Sequence, residues 1–150
     1  MPANKQSRLS DTMEDYLEVI YHISAEVKGG VKPGQIASRI GVHKSTVTIA
    51  LRHLEALKMI SYSPYHEVHL TVDGFKQAES IIKRHEVFYH FLKDVLEVDD
   101  ALAEQVACRL EHALPPEIVD RFVDYVRDQV RGGVKRTNND RYQTAHRKTK

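Results

Sequence analysis

Two short helical patterns separated by a single glycine, with an alternating hairpin directly after them, constrain the first half of this chain most tightly. Pro33 opens the first pattern, which runs to Ile40 and carries Ile36, Ala37 and Ile40 on one face. Gly41 makes the turn. The second pattern runs from about His43 to Lys58 and buries Val47, Ala50, Leu51, Leu54 and Leu57. Residues 60–63 and 67–71 then alternate as strands do, with Pro64-Tyr65-His66 as the turn between them. A further helix is expected upstream. Asp11 and Glu14 start it, Tyr16, Leu17, Ile20, Tyr21 and Ile23 repeat along it to about Val27, and Gly29-Gly30 stops it. Helix-turn-helix plus hairpin is a winged helix, here spanning residues 10–73.

The second half reads as helix throughout, so the fold class is mainly α. Asp73 is the expected cap of a long helix over 74–96, with an apolar stripe from Phe75 to Leu96. Asp99 caps the next helix, 100–114. Pro115-Pro116 ends that helix and opens a last one presenting Ile118, Val119, Phe122, Val123, Val126 and Val130. Residues 74–131 thus form an all-helical domain with more apolar surface than one small module needs, which implies burial against a second subunit. Residues 132–150 hold six Lys/Arg against one acid and are expected to be a disordered basic tail.

Charge is laid out unevenly beneath a net +1. Residues 30–78 balance at +3 and residues 79–130 at −6, so the winged helix can face phosphate while the helical part can hold cations. No apolar run reaches the length of a membrane span, and the N-terminus lacks a secretory pattern, so the cytoplasm is the expected compartment. The single cysteine excludes an internal disulfide.

That cysteine belongs to the most informative constellation. Cys108, Glu111 and His112 stand at i, i+3 and i+4 and share one helix face. Thiol, carboxylate and imidazole together suit a divalent transition metal. Asp15 and Glu18 on the first helix and His85 on the long helix are candidates to join them. In the winged helix, the polar start of the second pattern offers His43, Lys44, Ser45, Thr46 and Thr48 to a major groove, with Arg52 toward phosphate.

Five segments in register carry a resemblance: residues 12–21, the helix-turn-helix at 37–47, Leu70-Thr71-Val72-Asp73-Gly74, Arg84-His85-Glu86, and Ala107-Cys108 with Glu111-His112. Over about residues 11–130 the chain resembles the diphtheria toxin repressor and manganese transport regulator family. The resemblance implies a homodimeric transcriptional repressor of metal homeostasis. It implies an N-terminal winged helix-turn-helix followed by an all-helical dimerisation domain without an SH3-like third domain. It also implies a divalent corepressor and palindromic operator DNA.

The implied ligands are mixed. Asp15 and Glu18 match manganese-type members, Cys108 matches iron-type members, and His85, Glu111 and His112 match both. Tyr89 and Glu104 stand where the iron type has ligands of an ancillary site. Fe²⁺ is the favoured effector with Mn²⁺ close behind, and Zn²⁺ or Co²⁺ are expected to bind in vitro. An ion shared by both halves would fix the spacing of two recognition helices at about 34 Å, one duplex turn.

Each residue alone has a plainer explanation. A lone histidine is usually structural, a lone cysteine a small buried apolar group, and an isolated Glu18 a solvated charge. Tyrosines and phenylalanines are core first. The competing whole-chain reading is a winged-helix regulator answering to a small organic ligand or a protein partner. A helical metalloenzyme would need paired Glu-x-x-His helices, of which only one cluster exists here, so the chain is not expected to be an enzyme.

Overall fold

The structure, a computed structural model, describes residues 9–131, and the basic tail lies outside them. The chain divides into a first unit ending at Ile82 and a second beginning at Lys83.

In the first unit, α1 (Asp11–Val27), α2 (Pro33–Ile40) and α3 (Lys44–Ala56) precede a two-stranded hairpin of β1 (Ile60–Ser61) and β2 (His69–Leu70). The caps are not the residues that the sequence pattern favours. Ser10, not Asp11, is the N-cap of α1, and its hydroxyl accepts the Met13 N–H at 3.4 Å. The helix stops in the left-handed conformation at Lys28 (φ 53°), one residue before the glycine pair. Between α2 and α3 the expected glycine does the work. Gly41 sits at φ 80°, which a side chain would strain, and its N–H donates to the Ala37 carbonyl at 2.9 Å.

The core of this unit joins Leu17 and Ile20 of α1, Ile36 of α2, and Val47, Leu51 and Leu54 of α3, all fully buried. The strands are shorter than the alternation suggests, pairing only Ile60 with Leu70 and Ser61 with His69. What anchors the hairpin is an additional bridge. Val31 and Val68 exchange backbone hydrogen bonds of 2.9 and 2.8 Å, and both side chains are fully buried.

Helix α4 (Val72–His90) starts two residues before the expected point because its cap is Thr71, not Asp73. The Thr71 hydroxyl accepts the Gly74 N–H at 3.0 Å and donates to the Lys58 carbonyl at 2.7 Å. Ala78 and Ile81 on this helix complete the first core.

The second unit takes up the rest of α4, then α5 (Asp100–Ala113) and α6 (Pro116–Arg131). Phe88, Leu92, Ala103, Ala107 and Val119 form its core, with the Phe122 ring 5.0 Å from Phe88 and 4.7 Å from Phe91. The long helix does not run intact to Leu96. Residues Phe91–Val95 widen into a π-helical turn, with the Leu96 N–H reaching the Phe91 carbonyl five residues back at 3.1 Å. Glu97 then reverses the chain at φ 55°, and the Asp99 carboxylate caps α5 by accepting the Leu102 N–H at 3.2 Å, as the sequence suggests.

Gly74 packs against backbone. A Cβ there would stand 1.8 Å from the Met59 carbonyl oxygen, which no flexible side chain can relieve. Gly74→Ala is expected to destabilise the protein by about 2–4 kcal/mol, the range for forced overpacking. Urea unfolding checks this, and a midpoint equal to wild type would refute it.

Candidate metal centre and nucleic-acid interface

Helix α5 builds the candidate metal centre. Its buried face, Ala103, Ala107 and Glu111, interrupts an apolar stripe with one fully buried carboxylate. One turn before Glu111 stands Cys108, and beside it His112. The thiol sulfur, a carboxylate oxygen and an imidazole nitrogen of these three lie within 4.8 Å of one another. Cys108 is exposed and the His112 side chain is 10% exposed, so the cluster is open at the sulfur and closed at the carboxylate. His112 Nε2 lies 3.3 Å from Glu111 Oε1.

His85 joins them from α4. Its Nδ1–H donates to Glu111 Oε2 at 2.8 Å, and its Nε2 lies 3.0 Å from Glu104 Oε1. Two carboxylates on opposite edges of one ring stabilise the imidazolium. The Glu111 hydrogen bond, opposed by burial and assisted by Glu104, pushes the His85 pKa up to about 9. Glu104, at a position where the iron type has an ancillary-site ligand, sits on the His85 ring. Tyr89, one turn further along α4, engages Lys93 and Asp100 instead: Lys93 Nζ lies 2.7 Å from Asp100 and 3.0 Å from the Tyr89 hydroxyl. Lys93 holds the Asp100 carboxyl below its usual range.

The residues fit a divalent ion by their chemistry. Sulfur, carboxylate oxygen and imidazole nitrogen converge at ligand spacing, and the buried carboxylate needs a compensating positive charge. His85 supplies that charge as a protonated ring, and ligation through a ring nitrogen requires the proton to leave. Asp15 and Glu18 stand in the first unit, on α1. Asp15 is exposed, and the Glu18 carboxylate lies 3.6 Å from His22.

The other predicted residues belong to α3. His43 occupies its N-cap, and His43, Lys44, Ser45, Thr46 and Arg52 are exposed. Thr48 differs: it is half-buried and its hydroxyl donates to the Lys44 carbonyl at 3.0 Å, which leaves it an acceptor only. Ile49, outside the polar set, is 71% exposed in the middle of α3. The signal was present, since Ile49 falls off the stripe of Val47, Ala50, Leu51 and Leu54. Tyr65 also departs from expectation. It is fully exposed at the hairpin tip rather than in a core. Between α3 and the hairpin runs a groove lined by Lys32, Lys44, Arg52, Tyr65, His66 and Glu67.

Comparison with known proteins follows the same division. Residues 8–68 match the iron dependent repressor N-terminal DNA binding domain, and residues 71–130 match the iron dependent repressor metal binding and dimerisation domain. Over 125 residues the chain is 34% identical to an uncharacterized HTH-type transcriptional regulator of Methanocaldococcus jannaschii, covering 81% of this chain and all of that one. Among solved structures, a manganese-dependent transcriptional repressor in complex with manganese is 27% identical, with a TM-score of 0.66 over 83% of this chain and 54% of that chain. The manganese regulator SloR gives 24% and 0.66 over 77% of this chain and 53% of that one. The chain thus spans about half the length of these solved regulators. Among the described residues no helix is long and apolar enough to cross a membrane.

The imidazolium predicts a pH dependence. A ring whose folded pKa is about 9, against an ordinary value of 6.5, contributes stability that is complete below the ordinary value. That contribution is lost as pH rises through about 9. In chelator, thermal melts of wild type should fall between these limits, and His85→Gln should flatten the step. Parallel curves for the two proteins would contradict the assignment.

Proposed function

Since this chain belongs to the family of iron-dependent repressors related to the diphtheria toxin repressor and the manganese transport regulator, we propose that it binds palindromic operator DNA as a homodimer when loaded with Fe²⁺ or Mn²⁺. Members of this family are metal-dependent transcriptional repressors and not enzymes. The observation that carries the proposal is the cluster of Cys108, Glu111 and His112 around a buried carboxylate, in a chain whose other unit presents a polar recognition helix.

Cys108, Glu111, His112 and His85 would hold the ion, joined by Asp15 and Glu18 from α1. Bound there, a divalent ion would supply a fixed positive charge. Cys108 tilts the preference toward Fe²⁺ over Mn²⁺, because thiolate is a softer donor than carboxylate. Asp15 and Glu18 pull toward a harder ion. His85 changes from proton holder to ligand, so uptake of the ion releases a proton. Homodimer formation would bury the apolar side chains that the second unit leaves exposed: Val95, Leu96, Leu102, Ile118 and Tyr125 are 45–56% exposed. On the DNA side, Lys44 and Arg52 neutralise phosphate, Ser45 and Thr46 face base edges, and Ile49 meets a thymine methyl. The cytoplasm, where such DNA lies, is the proposed compartment.

Anaerobic operator titrations with Fe²⁺, Mn²⁺, Co²⁺ and Zn²⁺ test the reading. Loaded protein should bind roughly 5–150-fold more tightly than chelated protein, the usual range of allosteric coupling. Cys108→Ser should weaken the Fe²⁺ and Co²⁺ responses more than the Mn²⁺ response. Equal affinity with and without metal would instead favour a regulator answering to another signal. A separate outcome concerns the recognition helix: Ile49→Ala should reduce preference for thymine at one position per half-site by about tenfold, within the range for a single base contact. An unchanged base profile in a selection experiment would exclude Ile49 from the readout.

A further inference from the structure

We infer that Tyr65 is a second DNA-reading residue, entering the minor groove that flanks the major groove occupied by α3. This rests on reading the first unit as a duplex-binding module. Three observations point to it. First, the Tyr65 ring is fully exposed, with a relative accessibility of 104%. A tyrosine buries a large apolar area when it can, so one held wholly in water invites a partner.

Second, the turn that carries it is built. Tyr65 sits at φ 67°, a region that bulky residues avoid and glycine favours. The conformation is held from both sides. The His66 N–H donates to the Ser63 carbonyl at 2.9 Å, and the His66 ring Nδ1 lies 2.9 Å from the Pro64 carbonyl. Strain of this kind, fixed by its neighbours, concentrates at functional positions.

Third, the groove between α3 and the hairpin carries Lys32, Lys44 and Arg52 with the His66 and His69 rings, against one carboxylate, Glu67. That charge suits one sugar-phosphate strand. In a duplex, a single such strand separates the major groove from the minor groove. With α3 on the major-groove side, an element on the other side of the strand meets the minor groove. Tyr65 lines the same groove from the hairpin tip. Its flat ring suits a narrow groove, and its hydroxyl can donate to the acceptors that A·T and T·A both present there. The guanine amino group of G·C stands in the way.

The test uses full-length protein with Mn²⁺ and a fluorescent duplex enriched by wild type from a random-sequence pool. Base pairs flanking the α3 site are then set to A·T, to G·C, or to inosine·C, which lacks the minor-groove amino group. Wild type should bind the A·T and inosine·C flanks about tenfold more tightly than the G·C flank, a difference of roughly 1.4 kcal/mol. Tyr65→Ala should lose that preference while keeping the wild-type melting temperature and Mn²⁺ affinity. Tyr65→Phe should retain part of it. If wild type binds but ignores the flank, or Tyr65→Ala keeps the preference, Tyr65 does not read DNA. If metal-loaded wild type enriches no sequence at all, the repressor reading fails and this inference falls with it.

Discussion

The second unit is organised around one buried carboxylate. Glu111 is fully inaccessible to solvent on a helix face that is otherwise alanine. An ionised group in that position is costly unless opposite charge accompanies it. The chain answers with imidazoles on both sides: His85 at 2.8 Å and His112 at 3.3 Å. The carboxylate therefore selects for whatever positive charge is present. A proton on His85 satisfies it, and a divalent ion satisfies it with more charge. On the proposed reading, proton and metal are alternatives at one site. Glu104, on the far side of the His85 ring, strengthens the proton's hold.

Most element boundaries followed from the strongest local signals. Pro33 and Gly41 bracket α2 as expected because proline at a helix start and glycine past its end each answer to a single steric rule. Errors arose where several residues compete for one role. Ser10 and Asp11 can both cap α1, and Ser10 does so because its extended backbone (φ −66°, ψ 154°) directs its oxygen at the Met13 amide. Thr71 displaces Asp73 for a non-local reason. Its hydroxyl also donates to the Lys58 carbonyl, thirteen residues away, so it ties the helix start to the end of α3. The π-helical turn at Phe91–Val95 left no mark in the periodicity, since a one-residue widening shifts an apolar stripe by less than the stripe's own width.

The metal centre was legible to the degree that it is local. Cys108, Glu111 and His112 share a face by helical spacing alone, and the structure keeps them together. His85 is brought in by the packing of α4 on α5, which spacing cannot supply and the resemblance did. Glu104 stayed ambiguous because an exposed glutamate on an acidic helix has no distinguishing pattern, and only its 3.0 Å approach to His85 gives it a role. The DNA face shows the opposite bias. On the face proposed for DNA, the polar pattern marks Lys44 and Ser45 and leaves out Ile49 and Tyr65, all four of them exposed. Apolar side chains are assigned to cores by default, and exposure becomes visible only once the stripe and the turn are placed.

That bias matters because charge alone is a weak basis for recognition in this chain. Residues 30–78 carry a balance of only +3, one of the six cations in that count, Arg39, is paired with Glu26 at 2.7 Å, and Glu67 lines the groove among the cations. Affinity from counterion release scales with the number of phosphates neutralised. A small number yields modest nonspecific binding with a shallow salt dependence. For a regulator this is an advantage, since binding that does not depend on metal would blunt the response. Discrimination must then come from contacts that form only when the surface is correctly seated, such as an isoleucine against a methyl group or a ring in a groove. Such contacts fall off within an ångström or two of misplacement, whereas Coulomb attraction to a phosphate strand does not. A face poor in charge and supplied with exposed apolar groups is therefore sensitive to how the recognition elements are held, the variable that bound metal would control on the proposed reading.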